Sequence, residues 1–327
     1  MPKSIFTISL DFELYWGVRD KRSVGAYKDN LLGVQKAVPE LLKMFEKNDI
    51  HATWATVGFL FFKNIDELKY NLPVSLPEYI HENLSPYKQM GQLAKIDPSF
   101  LFAPDIIEKI YKTPGQEIAT HTFSHYYCLE SGQSEEDFYN DLKAAIKIAN
   151  HNSINLNSLV FPRNQWKAEY LSVLNKLDIK CFRGNEKGWM YRASGIENQN
   201  PLMRAFRLLD AYMNVSGHNV YDLAEGTAEK PYNFPSSRFL RPYSKKLSFL
   251  DGLKLKRIKN SMTYAAKNKK LFHLWWHPHN FGVNTKENLD FLTKIIAHYQ
   301  ILKERHGMVS MNMGELAESY EDKTIVG

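Results

Sequence analysis

Two short stretches of this chain hold side chains suited to chemistry. His121 and His125 lie four residues apart in Glu117-Ile-Ala-Thr-His-Thr-Phe-Ser-His125. The first histidine ends a short apolar run of β type, and the spacing lets both imidazoles converge on one point. An H-x-x-x-H pair alone is a weak signal and needs a third ligand. Asp11-Phe12-Glu13 offers it, because alternate residues of a strand face the same way and both carboxylates then share a side. Two imidazoles and a carboxylate are a common protein ligand set for a catalytic zinc. Such an ion acidifies water toward a pKa of about 7 and polarises a carbonyl, which suits amide or ester hydrolysis.

Further stretches, Thr53-Trp-Ala-Thr-Val-Gly58, Phe161-Pro-Arg-Asn164 and Leu274-Trp-Trp-His277, complete an ordered set with Ser9–Leu14 and Glu117–His125. The set spans nearly the whole chain and resembles the polysaccharide deacetylases of carbohydrate esterase family four, the NodB-homology domain. The resemblance implies an irregular (β/α)7 barrel and a divalent metal, zinc in the first instance, held by Glu13, His121 and His125. It implies that Asp11 is the general base, that His277 is the acid protonating the leaving nitrogen, and that Arg163 keeps the base carboxylate ionised and oriented. Three departures stand out: Phe12 separates the two acids and the second is glutamate, Pro162 precedes Arg163, and no acidic-tryptophan motif follows. Phe182-Arg-Gly-Asn-Glu186 occupies roughly that last place, so Arg183 and Glu186 are candidates to orient His277. Arg183, His279 and Trp16 are candidates to meet substrate, since sugars present apolar faces to indoles, although core packing suits each tryptophan singly.

Composition sets outer bounds. An apolar content of 44% over 327 residues supplies a core, and 24% charged residues is ordinary for a globular protein. The N-terminal residues reach Asp11 after only a short apolar run, which reads as a first strand rather than a signal peptide. Two cysteines, Cys128 and Cys181, are too few for a disulfide framework and fit a reducing compartment, so a cytoplasmic location is expected. The net charge of +6 is uneven: residues 238–270 are densely basic around the single acid Asp251. That segment is either a solvated helix face or a contact for phosphates or an anionic membrane surface.

The pattern predicts strands beginning near Ile5, His51, Glu117, Ser158, Ile179, Leu271 and Met308. Helices are expected over 31–47, 134–150, 168–177, 252–267 and 286–304, the second capped by Ser134. Strand–helix–strand spacing implies a parallel sheet, so the fold class is α/β, a barrel with long inserted loops. One catalytic domain over 1–327 is expected, with insertions at about 63–114 and 184–260. Residues 184–249 show no legible strand pattern.

The expected activity is removal of an N-acetyl group from an acetylated sugar during surface-glycan assembly, the sugar being an oligosaccharide or carried on a nucleotide or lipid diphosphate. A metal-free cyclic-amide hydrolase on the same barrel and a non-catalytic glycan-binding protein are the alternatives. No nucleic acid is expected as a partner.

Overall fold

All eight residues of Ile5–Phe12 are buried, the polar Thr7, Ser9 and Asp11 among them. A strand hidden on both faces belongs in the middle of a parallel sheet. The computed structural model describes residues 3–195, 200–223 and 229–322, and places this strand, β1, between its neighbours in a curled sheet. The other described strands are β2 (Ala52–Thr56), β3 (Gln116–Thr120), β4 (Ser158–Val160), β5 (Cys181–Arg183), β6 (Tyr232–Asn233), β7 (Arg238–Phe239), β8 (Leu271–Trp276) and β9 (Val309–Ser310). Their order is β6-β5-β4-β3-β2-β1-β8-β7, with every pairing parallel and β9 set against the start of β1. The result is an irregular (β/α) barrel, as the sequence leads one to expect. β6 and β7 are the two strands that the pattern left unread. Each has two residues, too few to display an alternation.

Among the described residues ten α-helices are interleaved: α1 (Val24–Lys47), α2 (Ile65–Tyr70), α3 (Met90–Leu93), α4 (Pro104–Lys112), α5 (Glu135–His151), α6 (Leu171–Lys176), α7 (Pro201–Asp210), α8 (Asp251–Lys267), α9 (Thr285–His306) and α10 (Met313–Glu321). Helix α1 begins at Val24, seven residues before the expected 31 and directly after the cap Ser23. It buries Leu31, Val34, Val38, Leu41 and Phe45 but leaves Leu32 47% exposed, because one residue along a helix is about 100° around it. Ser134 and Asp137 close a reciprocal capping box on α5. Residues 63–114 fold into α2 to α4 and short 3₁₀ turns, and contribute Leu68, Leu93, Phe102 and Ile106 to the main core. Of the insertion expected at 184–260, residues 196–199 and 224–228 lie outside the described residues. No described helix is long and apolar enough to cross a membrane.

Two contacts set the frame around the strand ends. Gly33 of α1 meets Gly282 so closely that a Cβ on Gly33 would fall 1.9 Å from the Gly282 carbonyl oxygen, and a Cβ on Gly282 equally close to that of Asn30. The Asn30 amide donates to the His279 carbonyl at 3.0 Å, fixing the 3₁₀ turn Pro278–Phe281 that follows β8. On the other side, Asp210 ends α7 and gathers Arg238 of β7, Arg257 of α8 (3.4 Å) and the backbone amides of Val215 and Ser216 (3.0 and 2.8 Å).

Candidate active site

The chemistry-bearing residues collect at the carboxyl ends of the strands, where barrels of this kind carry their functional groups. Asp11 lies one residue from the end of β1 and Glu13 directly after it; His121 follows β3, Arg183 ends β5 and His277 follows β8. The loops there are strained. Leu14, Thr122, His125, Arg163 and Asn164 all hold positive φ, between 46° and 64°. Such conformations cost of order 1–3 kcal/mol each and cluster where a site needs unusual side-chain directions. The left-handed backbone at Thr122 and His125 turns the second imidazole back toward the first.

Glu13, His121 and His125 are buried, and their donor atoms lie within 4.8 Å of one another. The Nε2 atoms of His121 and His125 stand 3.3 and 2.9 Å from Glu13 Oε2. Beneath them Gly17 leaves room, since a Cβ there would sit 1.9 Å from the Glu13 carboxyl carbon. His121 donates from Nδ1–H to the Val160 carbonyl at 2.8 Å, so the neutral ring presents a lone pair at Nε2. That buried atom has no hydrogen-bond partner and faces a carboxylate. Lone pair against anion is repulsive unless a cation lies between or the ring is protonated, so the residues fit a divalent metal, and N₂O donors suit zinc. Burial pushes His125 down to about 4 against the pull of Glu13, which keeps its ring neutral and able to act as a ligand. Burial alone would raise the Glu13 carboxyl, but the cationic side of its site, His277 first, outweighs it and holds the group well below the usual range.

Asp11 is fixed by an arginine, though not the one expected. The Arg183 guanidinium donates to both Asp11 oxygens at 2.7 and 2.8 Å, to Ser9 Oγ at 2.9 Å and to Asn164 Oδ1 at 2.8 Å. Burial works against the Asp11 charge, yet Arg183, His121 and His277 bring its pKa down. Arg163 instead pairs with Asp20 and lies over the Tyr127 ring, 4.1 Å from its centre. The physical reason is direction. Arg183 sits in a regular strand pointing into the barrel, whereas the positive φ of Arg163 turns its side chain toward Asp20.

His277 is partly open, its Nε2 3.8 Å from Asp11 Oδ2 and 3.6 Å from Glu13 Oε1. Asn280 Nδ2 approaches its Nδ1 at 3.4 Å, which favours the tautomer with the proton on Nε2, toward the site. Trp275 and Phe239 pack against the ring, at 5.6 and 6.0 Å between centroids, and Trp275 donates to Glu186 at 3.2 Å. Asn280 and these aromatics orient His277, with Glu186 acting only through Trp275.

Three expected substrate contacts are corrected by burial. Arg183 is fully enclosed. Trp16 is also fully buried, packed on Phe59 and donating to the Leu101 carbonyl at 2.6 Å. His279 is wedged between Tyr27 and Glu13, its Nε2 4.0 Å from Oε1, and burial beside His277 lowers it to about 3. Cys128 and Cys181 are free buried thiols.

One contributor escaped the sequence reading. Asp141 on α5 accepts from the Phe123 amide at 2.7 Å, from the Ser124 amide at 3.2 Å and from the Ser124 hydroxyl, and so braces the loop that carries both histidines. Its signal was an aspartate on the apolar face of the helix, beside Phe138, Leu142 and Ala145.

Fold and site together define a (β/α) barrel with a carboxylate–imidazole centre at its strand ends. A sequence profile described as polysaccharide deacetylase matches residues 19–182, half of the chain, and the chain belongs to that family. The matched span holds His121, His125 and Arg163 but stops short of Arg183 and His277. No curated protein matches significantly. Among solved structures, a putative polysaccharide deacetylase from Mycobacterium smegmatis is similar with TM-score 0.62 at 11% identity, covering 99% of this chain and 93% of its own. A probable polysaccharide deacetylase from Pseudomonas aeruginosa PAO1 gives 0.56 at 10%, covering 99% and 93%. Puue allantoinase gives 0.54 at 10%, covering 99% and 92%. At such identities the likeness is one of fold.

Proposed function

We propose that this protein is a metal-dependent deacetylase that hydrolyses the N-acetyl group of an acetylated sugar, used in surface-glycan assembly. The observation that carries the reading is the convergence of Glu13, His121 and His125 beside an arginine-held Asp11 and a half-open His277. Glu13, His121 and His125 would hold the ion, zinc by the chemistry of the donor set. When bound, such an ion polarises the acetyl carbonyl and acidifies water. Asp11, ionised and held at both oxygens by Arg183, accepts the proton of the attacking water at a carboxylate oxygen. His277, in its imidazolium form for this step, donates from Nε2–H to the departing sugar nitrogen and is left as the neutral ring, with Trp275 and Phe239 packed beside it. The buried thiols are compatible with the reducing cytoplasm. A sugar carried on a nucleotide or lipid diphosphate is the substrate this location favours. A metal-free cyclic-amide hydrolase has no use for a buried carboxylate facing two imidazole nitrogens.

Acetate release from N-acetylglucosamine oligosaccharides, measured alongside elemental analysis, tests the reading. His121→Ala and His125→Ala should each lose bound metal and nearly all turnover while staying folded. Stoichiometric metal in either variant would refute the ligand set. His277→Ala should keep its metal and lose more activity on the amide than on an acetyl ester with a good leaving group. Equal losses on both would remove His277 from the acid role.

A further inference from the structure

Beside the catalytic cleft lies a cavity of about 630 Å³ that shares Trp275 and Phe239 with His277 and Asn164 with Arg183. Its wall is unusually cationic. Arg163 and Arg238 have carboxylate partners in Asp20 and Asp210. Lys21, Arg192, Arg204, Arg207 and Arg241 line it too, and among the described residues none of these five cationic heads makes an ion pair or a hydrogen bond. The single acid on the wall, Glu186, is engaged by Trp275. Arg163 Nη1 is buried without a hydrogen-bond partner, 3.9 Å from Glu130 Oε1. Burial acts against the charge on Arg207 and outweighs the support of Tyr191 and Glu186, with Arg204 adding to it; burial likewise outweighs Tyr212 and Tyr191 at Arg241, with Arg207 adding to it. The wall carries seven cationic side chains against the one carboxylate of Glu186, and a multivalent anion balances such an excess.

We propose that this cavity binds a phosphate or diphosphate group borne by the sugar substrate, with Arg204, Arg207 and Arg241 as principal ligands. The proposal deepens the deacetylase reading and rests on it for the sugar. It also moves the anion site away from α8, on which the basic stretch 238–270 had placed it. Lys254 is buried against Asp251 (2.8 Å) and the Phe291 ring, and Arg257 is engaged by Asp210 and the Gly217 carbonyl. Of that stretch, Arg238 and Arg241 reach the cavity.

Binding measured without turnover tests this separately from acetate release. Uridine diphosphate titrated into the metal-loaded full chain by calorimetry should bind, and Arg204→Gln/Arg207→Gln should weaken it by about a hundredfold or more, since two charge-assisted contacts are lost and each is worth at least about tenfold. A polyprenyl phosphate in phosphatidylcholine vesicles, tested in the same way, identifies whether a nucleotide or a lipid supplies the anion. Lys256→Gln/Lys259→Gln on α8 should leave both affinities unchanged, and so should His121→Ala, which removes a proposed metal ligand instead. If His121→Ala abolishes binding while the double arginine variant retains it, the anion sits on the metal and the proposal is overturned. It also falls if neither carrier distinguishes the arginine variant from the parent.

Discussion

A carboxylate gripped at both oxygens by one guanidinium cannot swing, and under the proposed mechanism that fixes where Asp11 would take a proton. Lysine at 183 would keep the charge but lose the fork, so Arg183→Lys should retain metal and lower kcat by about tenfold or more. Metal loss in that variant, or unchanged kcat, would show that the fork does not matter. The clustering of Glu13, His121 and His125, with His277 close by, was legible because strand ends and the H-x-x-x-H spacing are local properties of the sequence. The arginine was not. Arg163 and Arg183 both follow short apolar runs, and the choice between them depends on a left-handed φ at 163 that no pattern announces. Trp16 was misjudged for a similar reason: closeness to Glu13 in sequence says nothing about whether an indole points to the cleft or, as here, into the core.

At the scale of elements, α5 serves the site through Asp141. Burial pushes that carboxyl up to about 7, against the amides and hydroxyl that bind it. A carboxyl raised above its unfolded value favours the fold most below about pH 4, and this contribution is lost as pH climbs toward 7. Asp141→Asn cannot ionise, so its melting temperature relative to the parent should rise across pH 4 to 7 and level off above. A constant difference over that window would deny the titration. The amphipathic patterns of α1, α5 and α9 could be read from the sequence because their buried faces repeat over many residues. β6 and β7 could not, since two residues in a strand owe their state to the neighbours they pair with.

At the scale of the molecule, among the described residues no β6–β7 pairing closes the sheet, and the Asp210 cluster ties α7, β7 and α8 together at the β7 edge. Asp210→Ala would leave Arg238 and Arg257 buried without their shared anion, a change that typically costs about 3–5 kcal/mol. Thermal melting should show a drop of many degrees; a shift within a degree would mean that the arginines find other partners. The parallel barrel itself was readable from the alternation of strands and helices, whereas its long-range ties were not, because they join residues far apart in the chain. The seat of Gly33 on Gly282 is one, and its companion bond from Asn30 to His279 spans 249 positions. Closing so long a loop is entropically costly and slow. Glu13, His121 and His125 all come from the first half of the chain, while His277 is seated only when its last quarter docks on α1. On the ribosome, the three proposed ligands are therefore all synthesised well before the proposed acid, and under that proposal metal capture and catalytic competence are separate moments in the life of the chain.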